Sequence, residues 1–258
     1  MFIDMKFFNI YYFCQIANSN MGTFDAVNKN GEFTESFFSE SANIKDFPKI
    51  SVLRHYCYWL IQNVFYEQAD LISQDKATDF NPINWALQAI YIYKEMDLTN
   101  AVIETQQNED YLEYYNGFIE NLNESYSDIF EEVVWQIATE MEHILFHNRD
   151  FLLRFNEQQA TAFENNQRKR KAIPAWVKKA VMYRDNGKCV FCKKDLSGEF
   201  AKVDSREIHF DHIVPLNKGG INDVCNIQLS CQKCNLTKKV VAKTNTHYQT
   251  IYEYPNKI

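Results

Sequence analysis

The chain has 258 residues, 46% of them hydrophobic, and its 27 Lys and Arg against 34 Asp and Glu give a formal net charge of −7. That is length enough for two domains and apolar content enough for a core, yet no clean apolar run reaches membrane-spanning length. With only 7 Gly there is no Gly-rich phosphate loop, so any control by a nucleotide would come through a partner.

In chain order, the opening segment MFIDMKFFNIYYFCQIA reads equally as a buried strand or a helix. It does not read as a signal peptide, having neither the basic region nor the small-residue cleavage site of one, and the expected location is the cytoplasm. Met21 to Ile44 is polar with interspersed Phe. Ser51 to Ala69 carries apolar residues at helical spacing, and Asn81-Pro82 is a start signal for a helix over Asn84 to Met96. Thr99 to Leu122 and Glu124 to Glu157 continue the helical pattern with acids on their outer faces. Glu140, His143 and His147 share one helical face and could ligate a metal in a bundle. No second Glu-x-x-His supplies matching ligands, so the spacing reads as a polar stripe. There is no internal repeat.

The charge changes sign at Gln167-Arg-Lys-Arg-Lys. Residues 1–166 hold 9 Lys and Arg against 26 Asp and Glu, a net of −17, and residues 167–258 hold 18 against 8, a net of +10. A basic third can attract nucleic acid, while the acidic part repels it. The predicted organisation is an acidic helical domain over 1–166, a basic linker or nucleic-acid arm over 167–173, a domain over 174–243 and a tail over 244–258. The acidic domain could dock a protein partner, cover the basic surface as an autoinhibitor, or serve as a scaffold.

Two Cys-x-x-Cys pairs, Cys189/Cys192 and Cys231/Cys234, punctuate the basic third. Each pair presents two sulfurs on one small loop, and two pairs complete the four-thiolate shell that Zn²⁺ prefers. Two disulfides are the alternative, disfavoured in a reducing compartment, and a redox pair would need a βαβ setting that is absent. Between the pairs, EIHFDHIV at 207–214 reads as a strand ended by Pro215, and Asn217-Lys218-Gly219-Gly220 as a turn. Asn226-Ile-Gln-Leu-Ser reads as a return strand and CQKCNLTKKV at 231–240 as a short helix. Asp211 and His212 can then face Asn235. His212 titrates near neutrality and can act as a general base; Asp211 and Asn235 offer hard oxygen donors suited to Mg²⁺ or Mn²⁺. Lys238 and Lys239 follow Asn235 by one turn and are read as phosphate contacts or as a solvated helix end, and Arg184 as a further phosphate contact. His209 shares a strand face with Asp211 and is left undecided between the metal, a phosphate and packing. Cys225 reads as a small buried residue.

These residues together resemble the HNH endonuclease family over about residues 173 to 240: a Cys pair, DHIVP, a Gly-Gly turn, an Asn before Ile-Gln-Leu, then CQKCN. The lead-in IPAWVKKAVMYRDNGKCVFC is similar to the helix that precedes the first Cys pair there. The third residue of the family motif is Asn235, as in His-Asn-Asn variants. The resemblance implies an α+β chain in which a helical N-terminal domain precedes a zinc-braced ββα-metal domain. It implies a catalytic His212, an Asn226 that orients the His212 loop, and Mg²⁺ or Mn²⁺ at Asp211 and Asn235. It points to DNA ahead of RNA, a choice the residues themselves leave open. It also suggests an effector of a bacterial defence or mobile-element system, held with a protein partner such as an ATPase or other sensor. The rival reading is a non-catalytic zinc-stabilised module that binds nucleic acid or docks a partner.

Overall fold

The computed structural model describes residues 4–21, 37, 45–74, 76–98, 111–162, 168–200 and 206–246. Over these the chain is α+β: a mostly helical N-terminal region, then a two-stranded sheet and a helix beside a cysteine cluster. Most of Met21 to Ile44, residues 99–110 of the third predicted helix and 247–258 of the tail lie outside the described residues. No helix among the described residues is long and apolar enough to cross a membrane.

Within the opening segment the helix α1 (Ile10–Asn20) begins only at Ile10. Then come α2 (Val52–Ser73), α3 (Pro82–Lys94), α4 (Tyr111–Ser125), α5 (Ser127–Phe146) and α6 (Arg149–Ala162). The start of α3 follows from its sequence: Asn81 Oδ1 accepts from the Asn84 amide at 3.1 Å and Pro82 occupies the first turn. The single helix predicted over Glu124 to Glu157 is two. Its interruption has a local cause, because Asn148 Oδ1 accepts from the Phe151 amide at 3.0 Å and caps a new helix. The C-terminal region adds α7 (Ala175–Arg184), α8 (Ser197–Phe200), β1 (Ile208–His212), β2 (Ile227–Cys231) and α9 (Gln232–Lys238).

Contacts divide the chain into two units, Met1–Phe13 with Tyr56–Met141, and Cys14–His55 with Glu142–Ile258. The charge switch at 167–173 is not where the contacts divide the chain: charge records the surface, whereas contacts record the core. In the first unit an aromatic cluster surrounds Trp85, with the rings of Phe8, Phe13 and Phe65 each 5.7 Å from it. Glu140 belongs here and serves structure. Its carboxylate accepts from the Lys6 and Phe7 amides and from Tyr93 Oη, each at 2.9 Å.

In the second unit the two strands are antiparallel, with Asp211 opposite Gln228 and His212 opposite Ile227. Every residue from Gly220 to Cys231 is buried, polar Asn222, Asp223, Asn226, Gln228 and Ser230 included. Such a segment is stable only if its polar atoms are paired. Much of the pairing comes from outside the sheet. Asp223 accepts from the Val52 amide at the start of α2 (3.0 Å) and from the Cys225 amide (2.8 Å). The Phe47 amide donates to the Asn222 carbonyl at 2.7 Å, and Asn156 of α6 to the Cys225 carbonyl at 3.2 Å.

Burial also sets a pH dependence. It holds the imidazoles of His55, His147 and His212 below their ordinary 6.5, so the unfolded chain takes up these protons more readily than the folded one. Their contribution to stability is present above 6.5 and is lost as pH falls from there through the lowered folded values. Thermal unfolding measured one unit above and one unit below 6.5 should show the lower midpoint on the acid side. His147→Gln should reduce that difference; a midpoint higher in acid would contradict the assignment.

Candidate active site

The first Cys pair lies on a tight turn. The Cys189 amide donates to the Lys194 carbonyl at 2.9 Å, the Lys193 amide returns to the Cys189 carbonyl at 3.0 Å, and Lys193 takes a positive φ of 67°. The Val190 amide donates to the Leu229 carbonyl at 3.0 Å, which fastens this turn to β2. The second pair sits where β2 passes into α9, with Cys231 as the residue before the helix. The four sulfurs lie within 4.8 Å of one another, and Cys192 Sγ is 3.7 Å from Cys231 Sγ. A tetrahedron built on Zn–S bonds of about 2.3 Å has edges of about 3.8 Å. The donor set and its spacing therefore fit Zn²⁺. Burial pushes the Cys189 thiol up, but hydrogen bonding from the backbone of Cys192, Cys231 and Phe191 outweighs it and brings its pKa below the ordinary thiol value. Burial raises Cys192 and Cys234, whose thiolates depend on the metal's own charge.

On the sheet, His209 and Asp211 alternate onto one face. Helix α9 offers Asn235 and Lys238, three residues apart and so one above the other, to that face. Asn235 Nδ2 meets His209 Nδ1 at 3.2 Å, and Lys238 Nζ meets Asp211 Oδ2 at 2.9 Å. His209 thus stands beside Asn235. Two predicted phosphate contacts need correction. Lys238 has a side chain 2% exposed, and its ammonium also donates to the His212 carbonyl at 2.8 Å. It is an internal counter-ion to Asp211, with almost no surface left to offer a phosphate. Arg184 is fully buried: Nε and Nη2 donate to Asp185 at 2.8 and 3.0 Å, and Nη2 also to the Ile227 carbonyl at 2.7 Å. Arg149 shares Asp185 at 3.0 Å, and the Leu229 amide donates to it at 2.9 Å. This knot ties α6 and α7 to β2, so Arg184 supports the sheet. Lys239, by contrast, is exposed.

His212 ends β1 and is buried. Burial pulls its pKa down against the opposing hydrogen bond to Asn222 Oδ1. The loop after it is closed by Asn226, which is fully buried. Its Oδ1 accepts from the Val214 amide at 2.8 Å, and Nδ2 donates to the Val214 and Ile221 carbonyls at 2.9 and 3.0 Å. Gly220 is obligatory, since a Cβ there would lie 2.0 Å from the Val214 carbonyl oxygen. Gly219 has φ +85° and approaches Ala160 of α6 so closely that a Cβ would lie 2.7 Å from its carbonyl oxygen.

Sequence reading misses Asn222, whose Oδ1 lies 3.0 Å from His212 Nε2, and Asp223, which has no motif to mark it. The only available signal is the run of polar residues in NDVCN, too short to tell a buried network from a surface turn.

For a catalytic cation the residues present are Asp211, which is part-exposed, and Asn235. Asn235 turns its amide nitrogen to His209, leaving the amide oxygen as the atom able to accept a cation, and both are hard oxygen donors that fit Mg²⁺ or Mn²⁺. Lys238 already neutralises one Asp211 oxygen, so a cation there would share the carboxylate with an ammonium.

Residues 189–240 match the family described as HNH endonuclease. Neither the curated proteins nor the solved structures gave a significant match to the chain. The C-terminal region therefore carries an HNH domain with a zinc-type cysteine cluster.

Cys192→Ser should reduce bound zinc from one per chain to almost none and lower the unfolding midpoint, as metal analysis and calorimetry would show. Unchanged zinc content would refute the cluster. Gly220→Ala should retain zinc yet displace the loop after His212, because the clash is with rigid backbone. Asn226→Ala leaves three buried backbone groups without partners, at about 1–3 kcal/mol each, and chemical denaturation should register a loss of several kcal/mol.

Proposed function

We propose that the protein is a metal-dependent endonuclease that hydrolyses phosphodiester bonds of DNA. The observation that supports this most is a buried His212 directly after Asp211 on β1, with Asn235 of α9 beside His209 and the four cysteines clustered at the end of the ribbon. In this reading His212 accepts the proton of the attacking water. Asn226 holds its loop, and Lys238 and the Arg184–Asp185 knot fix the strand and helix on either side. Asp211 and Asn235 would hold Mg²⁺ or Mn²⁺, which supplies positive charge to a phosphate oxygen and to the departing 3′ oxygen. Exposed Lys239 and the net +10 of residues 167–258 draw the polyanion, and the −17 of residues 1–166 turns it away. The domain over 174–243 carries the chemistry. The acidic region over 1–166 docks a protein partner, an ATPase or other sensor, in a cytoplasmic defence or mobile-element system, a reading that rests on charge and resemblance. The Asp211–Lys238 pair favours a second reading, a zinc-stabilised nucleic-acid-binding module in which that carboxylate serves structure alone.

Cleavage of plasmid, single-stranded DNA and RNA with Mg²⁺ or Mn²⁺ separates the two. Wild type should cut, and His212→Ala should lose about a hundred-fold or more with fold and zinc intact. Binding without any cutting by the wild type would leave the binding-module reading.

A further inference from the structure

Asn222 links His212 to two segments that lie outside the ββα motif. At one end of its carboxamide stand two acceptors, Asp46 Oδ1 and the Lys169 carbonyl, each at 2.9 Å. Neither a carboxylate nor a carbonyl can donate, so that end must be the amino group. The amide orientation is thereby fixed by chemistry. The other end, the carbonyl oxygen Oδ1, faces His212 Nε2 at 3.0 Å. A carbonyl only accepts, so Nε2 carries a proton, and in the neutral ring the lone pair falls on Nδ1. Asn222 is 1% and His212 6% exposed, so water competes little for either. The Phe47 amide also holds the Asn222 backbone, by a 2.7 Å bond to its carbonyl.

We propose that Asn222 is the positioning residue that sets the His212 tautomer, with Asp46 and the Lys169 carbonyl locking Asn222 in turn. This rests on reading His212 as the general base, and makes Nδ1 the atom that takes the proton from water. The base is then set by residues 46 and 169, the second of which lies in the basic run before α7. Asp46 is also 3.9 Å from Arg168 in that run.

The test is ¹⁵N NMR of the full-length chain labelled at histidine, with the His212 signal assigned by its loss in His212→Gln, beside steady-state cleavage of plasmid DNA. In alkaline solution wild-type His212 should carry its proton on Nε2. Asn222→Leu should give mixed tautomers and lose about ten- to a hundred-fold in kcat with KM unchanged. Asn222→Asp turns a carboxylate toward Asp46 and should also lose activity; adding Asp46→Asn restores a donor at that contact and should recover part of the loss. A proton on Nδ1 in the wild type overturns the proposal and needs no variant to fold. So does an unchanged tautomer and kcat in Asn222→Leu, or no recovery in the double variant. The tautomer is read on uncut protein, independently of cleavage. Full cleavage by His212→Ala would instead remove the base assignment and leave the tautomer result standing.

Discussion

A two-stranded ribbon of five residues a side cannot hold its own ends together, and the closure here depends on four sulfurs. Cys189 and Cys192 come from a turn pinned to β2, Cys231 ends β2, and Cys234 lies in the first turn of α9. Bringing these atoms to one point sets where α9 begins, and so which of its residues meet β1. Asn235 and Lys238 face His209 and Asp211 because the helix starts at a sulfur. In a region with so small a core of its own, metal binding and folding are one free energy.

The opposite side of the ribbon depends on buried charge. Two arginines and one aspartate, each no more than 3% exposed, sit behind β2, with Asp185 receiving both guanidinium groups and the Leu229 amide. Burial lowers the Arg149 pKa against the raising effect of Asp185. Removing one partner of such a knot leaves an uncompensated charge in the interior, at about 3–5 kcal/mol. Arg184 also lies 4.9 Å over the Phe146 ring, so the end of α5 is held by the same residue.

What was legible in the sequence was short-range. Asp211, His212, Asn226, Cys231, Cys234 and Asn235 lie on or beside a single hairpin and helix, so their spacings are local, and the first Cys pair sits on a short turn of its own. The helix start at Asn81-Pro82 was legible for the same reason. Burial was not. Lys238 and Arg184 look like surface cations in any basic stretch, and only the packed α9 and the Asp185 knot turn them inward. Asn222 and Asp223 find partners at Asp46 and Val52, more than 170 positions away, and no local pattern encodes such pairings.

Asp223 carries this further. It is a carboxylate of the buried HNH loop that accepts from the first amide of α2, and burial raises its pKa. The start of the helix, capped locally by Ser51 Oγ accepting from the Arg54 amide at 3.0 Å, is thus also held by a side chain 171 positions away. A ββα unit cut from its context would retain its sulfurs and strands, but its most buried loop would open onto water with Asp223, Asn222 and the Cys225 carbonyl stripped of outside partners. The ββα unit is therefore not self-contained here, because its buried loop is completed by groups from elsewhere in the chain. The unit of inheritance must include the segment around residues 46–52 and helix α6, and an insertion between these distant pieces is tolerable only where it leaves their meeting undisturbed.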